Sequence, residues 1–129
     1  MLAEIVRVAR PKRPWQLRLT GGSMSPRILD GDTLTVVPQR DGFRLGDVVI
    51  FPHGGILVAH RIIGVGKTLL TAGDASTGKL EHVPQDDVLG AVVRVERRGR
   101  LVHSHVSSPL AAMLLRARLA LKYHLRLRR

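Results

Sequence analysis

The sequence predicts a mainly β domain, a coiled antiparallel sheet or barrel, followed by one amphipathic C-terminal helix. Three observations predict it. Six or seven short stretches alternate apolar and polar residues or are rich in Val and Ile. Gly-rich turn signals separate them at close spacing. The last segment then changes its apolar period from two to that of a helix. With 129 residues and 44% apolar composition, the chain suits one folded domain. Its four aromatic residues are Trp15, Phe43, Phe51 and Tyr123, so Val, Ile and Leu must build most of the core.

Residues 1–14 are basic, end in Pro-Lys-Arg-Pro and read as an arm leading into the domain. The domain itself is expected over residues 15–104. Trp15, Leu17 and Leu19 alternate with Gln16, Arg18 and Thr20, the pattern of a half-buried strand, which Gly21 and Gly22 break. Thr33–Val37 is a strand opened by the Gly31-Asp32 turn. Asp47–Phe51 follows Gly46, and Ile56–Ile63 follows the Gly54-Gly55 turn. Thr68–Ala72 and Val88–Arg98 come next, and Leu101-Val102 can pair back through Gly99. Residues 105–129 form the helical segment. Ser107-Ser108-Pro109 supplies a cap and a Pro at the first helical position. Leu110, Leu114, Ala117, Leu121 and Leu125 line one helix face, and Arg118, Lys122, Arg126 and Arg129 another. Such a helix packs on the domain with a solvated basic face, or docks on an anionic membrane surface or a partner.

The net charge of +11 is uneven. Residues 23–96 carry seven Lys/Arg and nine Asp/Glu, whereas residues 97–129 carry nine Lys/Arg and no acid. A nearly neutral middle with basic ends argues against a nucleic-acid-binding face made by the fold, so no specific nucleic acid is expected. With no cysteine, disulfides and thiolate metal sites are excluded. No metal or other cofactor is expected. No apolar run is long enough for a transmembrane helix, and Arg7, Arg10, Lys12 and Arg13 interrupt any secretory pattern. A cytoplasmic location is expected, with peripheral contact to a membrane as an option.

Three residues carry candidate chemistry. Ser23 follows Gly21-Gly22 and precedes Met24-Ser25-Pro26, a setting that turns the backbone sharply and exposes a hydroxyl. A lone serine in such a turn is most often a turn residue. His60 shares a strand face with Ile56, Val58 and Ile62, where burial favours a neutral imidazole. A histidine so placed is more often part of a core than a base. Asp74 follows Gly73 at a strand end, the usual place of a turn aspartate.

Their order is more specific than any one of them. Ser23-Met24-Ser25-Pro26, Gly31-Asp32, Gly46-Asp47-Val48-Val49, His60-Arg61-Ile62-Ile63-Gly64 and Gly73-Asp74 together resemble the type I signal peptidases. The resemblance covers roughly residues 17–95 and extends, more distantly, to the self-cleaving domain of LexA-type repressors. It implies a serine endopeptidase that cleaves a precursor or leader peptide after a small residue. Ser23 matches the nucleophile, and His60 matches the base of the histidine-type members. Asp74 matches an acid that orients the histidine or structures the site. Gly22, Ser23, Met24 and Pro26 fall where the oxyanion and substrate are held. The resemblance leaves the acid open. Glu81 is the only acid between residues 75 and 84, Asp86 and Asp87 come next, and Asp74, Asp86 and Asp87 stand as the alternatives. On the same fold, a non-catalytic or self-cleaving regulator is the competing expectation, as is a binder of anionic membrane or nucleic acid through the basic tail.

Overall fold

In a computed structural model the described residues are 11–38 and 42–127, the last six of them as helix backbone only. Most of the basic arm, residues 1–10, lies outside them, as do residues 128 and 129. Among the described residues eight strands run in chain order: β1 Trp15–Arg18, β2 Thr33–Val37, β3 Val48–His53, β4 Ile56–Val65, β5 Thr68–Ala72, β6 Glu81–Pro84, β7 Gly90–Arg97 and β8 Arg100–His103. A helix, α1, spans Pro109–Leu127.

All strand pairs are antiparallel, in the order β1-β2-β7-β3-β4-β5-β6, with β8 added beside β7. The path leaves β1 and β6 as edges, so the sheet is coiled but open and the barrel alternative is not realised. Strand number alone does not fix closure, which also needs a matching shear. Register shifts in β2–β7 at Thr35/Val36 and in β4–β5 at Ile62/Gly64 bend the sheet where irregular pairing raises local twist.

Period-two alternation sends side chains to both faces, and both faces are covered. Leu34, Val36, Val48, Ile50, Ala59, Val92 and Val95 pack together with Leu19, Met24 and Ile28 from the loop after β1. On the other face Val49, Phe51, Ile62, Leu69, Val83, Val88 and Ala91 form a second cluster. A third joins the helix to the sheet, with Ala112, Leu115 and Leu119 against Ile63 and Ala72.

Ser108 caps α1 by accepting a hydrogen bond from the Ala111 N–H at 3.1 Å, and Pro109 opens the helix as expected. The face that meets the sheet differs from the expected one. Leu110, Leu114, Ala117 and Leu121 point outward, while the smaller Ala112-Leu115-Leu119 stripe is buried. The expected basic face at Lys122 and Arg126, and the Leu125 end of the apolar one, fall among side chains outside the described set.

Candidate active site

The loop between β1 and β2 carries Ser23. The Ser25 N–H donates to the Gly22 carbonyl at 3.1 Å, which closes a tight turn with Ser23 and Met24 at its corner. Ser23 is exposed there, whereas Met24 is fully buried and anchors the turn in the core. The Ile28 N–H then donates to the Met24 carbonyl, and the Gly21 N–H to Asp30 Oδ1. Pro26, after a cis Ser25–Pro26 peptide, is exposed on the outer side of the loop.

Asp32 fixes the far end of this loop. Its carboxylate accepts from the Leu29 N–H at 2.8 Å and from Arg97 Nε and Nη2 at 2.8 and 2.9 Å. The Arg97 guanidinium, helped by the Leu29 N–H, holds the Asp32 carboxyl below its ordinary value against an opposing desolvation effect.

His60 sits in the middle of β4, opposite Val49 on β3. Its ring is edge-on to Phe51, with centroids 6.0 Å apart. Nδ1 lies 2.9 Å from Glu81 Oε2, and the two side chains are 12% and 7% exposed. The same carboxylate oxygen accepts from Thr71 Oγ1 at 3.3 Å. An ionised carboxylate only accepts, so the contact calls for a proton on Nδ1, and in a neutral imidazole with that tautomer Nε2 is the acceptor.

Nε2 faces Gly73. A Cβ on Gly73 would lie 3.2 Å from His60 Nε2 and 2.5 Å from the Ser23 carbonyl oxygen. The histidine tip and the Ser23 main chain thus converge on one point, and the missing side chain lets them do so. The Ala75 N–H donates to the Ser23 carbonyl at 2.9 Å and ties the two loops together. The Asp74 N–H points at the Met24 sulfur, 3.5 Å away.

Asp74 does not meet His60. It takes Arg61 in a bidentate pair, Nε to Oδ1 at 2.7 Å and Nη2 to Oδ2 at 2.8 Å. Arg61 is fully buried and also donates from Nη1 to the carbonyls of Gly46 at 2.8 Å and Val106 at 3.0 Å. A buried guanidinium requires such partners. Asp47 accepts from Ser107 Oγ at 2.6 Å and from the Arg44 N–H at 3.0 Å. Gly46 is needed where it stands, because its φ is 95° and a Cβ would lie 2.4 Å from the Ser108 carbonyl carbon. The Gly46-Asp47, Arg61 and Gly73-Asp74 blocks therefore form one largely buried frame beneath the Ser23 loop and the His60 end of the site.

Asp86 and Asp87 lie in the 3-10 turn after β6, and the acid on the histidine is Glu81. Glu81 is hard to read as a site residue from sequence, because β6 is short and follows a turn-rich stretch. Its signal was present in Glu81-His82-Val83-Pro84, where the alternation puts Glu81 and Val83 on one face. The Cα pairing Thr71↔Glu81 brings that face beside His60. Among the described residues, no group of three or more His, Asp or Glu side chains is arranged to hold a metal ion.

The model of the family described as Peptidase S24-like matches residues 3–93. A search of the curated proteins found no match.

Proposed function

Because the chain belongs to the Peptidase S24-like family, we propose that it is a serine endopeptidase working through Ser23, His60 and Glu81. The observation that carries this reading is the convergence at Gly73. The Nε2 of His60 and the backbone of an exposed serine meet there, with a carboxylate on the opposite ring nitrogen.

A serine hydroxyl needs an adjacent base to attack a carbonyl. His60 Nε2 takes the Ser23 Oγ proton as Oγ bonds to the scissile carbonyl carbon. Glu81 holds the Nδ1 proton and stabilises the imidazolium that forms. The Ser23 N–H stabilises the oxyanion. The imidazolium then gives its proton to the leaving amine, and the C–N bond breaks to leave an acyl-serine. Water attacks that ester with His60 again as base, releasing the acid and restoring Ser23. Asp74 supports this chemistry indirectly, as the counter-ion of Arg61 in the frame beneath the loops.

The resemblance to signal peptidases supports an extended peptide substrate cleaved after a small residue, bound by main-chain pairing. The test uses peptides with Ala just before the scissile bond and at the second residue upstream of that one. The parent chain should cleave them, and Ser23→Ala should not, with an unchanged melting curve. Cleavage by Ser23→Ala at the parent rate overturns the assignment of Ser23 as nucleophile, and a parent chain that leaves the peptides intact favours a non-catalytic regulator.

A further inference from the structure

Helix α1 has two apolar faces, and the fold uses one. Ala112, Leu115 and Leu119 are buried against the sheet. On the opposite side Leu110, Met113, Leu114 and Leu121 are 64%, 60%, 62% and 62% exposed. Positions 110, 113, 114, 117 and 121 are three and four residues apart, so these side chains form one stripe with Ala117 among them. A stripe of this kind is not the scatter of single apolar residues normal on a surface.

Charge selects what covers it. From Arg97 to Arg129 the chain carries nine Lys/Arg and no Asp or Glu. Four of the cations, Arg116, Arg118, Lys122 and Arg126, are on α1 itself. Arg116 and Arg118 are exposed on either side of the stripe and reach back toward the domain. Arg116 Nη1 lies 3.4 Å from the Ile63 carbonyl, and Arg118 Nη2 donates to the Asp74 carbonyl at 2.6 Å. An apolar stripe bordered by cations matches a surface with apolar depth and negative headgroups. No helix among the described residues is long and apolar enough to cross a membrane, so α1 would lie in the interface plane.

We infer that the outward face of α1 is a docking surface for an anionic lipid bilayer, with Leu110, Met113, Leu114 and Leu121 entering the headgroup boundary. This inference is independent of catalysis. The Arg118 bonds to the loop carrying Gly73 and Asp74 place the docked face beside the candidate active site, so a docked chain would present that site to peptides near the bilayer.

The test is co-sedimentation of the full chain with phosphatidylcholine vesicles, with and without phosphatidylglycerol, over a salt series. Binding should be about tenfold stronger or more with the anionic lipid and should weaken with salt. The double variant Leu114→Gln/Leu121→Gln alters two outward side chains and should keep the parent's melting curve. It should bind anionic vesicles about tenfold more weakly, through loss of apolar burial. Three results overturn the inference. The first is no preference for anionic vesicles. The second is unchanged binding by the glutamine variant, which reduces the attraction to charge alone. The third is a parent dimer in sedimentation equilibrium that the glutamine variant dissolves, which assigns the stripe to a second copy of the chain.

Discussion

Glu81 and Asp74 are both carboxylates beside strand β5, yet their partners give them different work. Glu81 meets an imidazole, which in the proposed reaction changes its protonation, and Asp74 meets a guanidinium, which stays charged. Glu81→Gln keeps the shape but can no longer stabilise an imidazolium or enforce the Nδ1–H tautomer. It should slow peptide cleavage by about 10³–10⁴-fold with little change in stability. Asp74→Ala should act on the fold, because it leaves the buried Arg61 without its counter-ion, and breaking such a pair costs about 3–5 kcal/mol. Parallel measurement of cleavage rate and denaturant midpoint separates the two. A stable Asp74→Ala chain with a severe rate loss would reverse the assignment. The motif order singles out Ser23, His60 and Asp74, and it offers Asp74 as the acid that orients the histidine or structures the site, whereas Asp74 pairs with Arg61. Arg61 carried the missing clue. It lies on the strand face of Leu57 and Ala59, and a charge sent into a core demands an acid nearby.

Elements hold these residues in place, and their limits explain what the sequence left unread. Strand β2, which alternates cleanly, matches its expected span, and the apolar-rich β4 starts where expected and runs two residues further, to Val65. Strand β6 has four residues, ends in a proline tolerated at a sheet edge, and follows the turn-forming stretch from Ala75 to Leu80. The helix was legible from its cap, but two apolar stripes competed for the sheet, and periodicity cannot say which one wins. The β5-to-β6 loop offers its own test at Gly73. A methyl group there would fall 2.5 Å from the Ser23 carbonyl oxygen, so the two loops must separate. Gly73→Ala should fold, lose most cleavage activity through a lower kcat, and retain the Glu81–His60 contact. Parent-like kcat would show that the approach of the two loops is irrelevant to turnover.

At the scale of the whole molecule, one acid links the loop before β2 to the end of β7. Arg97 lowers the Asp32 carboxyl in the folded state, so its contribution to stability is present above the unfolded value of about 3.9. It is lost as pH falls through the lowered folded value. Asp32→Asn should therefore be less stable than the parent at neutral pH and lose less of its stability on acidification below pH of about 4, as urea midpoints across a pH series will show. Identical acid limbs for the two chains would remove Asp32 from the account. The uneven charge was legible from sequence alone, but its setting was not. The basic C-terminal stretch includes a helix that packs by its smaller face and leaves its larger apolar residues outside.

Whether Glu81 acts through His60 on Ser23 is decided by a double-mutant cycle on peptide cleavage. The parent, His60→Ala, Glu81→Gln and the double variant are compared by kcat/KM on one peptide substrate. Two severe single losses are expected, with a double variant no slower than His60→Ala, because a carboxylate that works through an imidazole has nothing to do once it is gone. Parent-like cleavage by Glu81→Gln, or losses that multiply in the double variant, would contradict an action of Glu81 through His60.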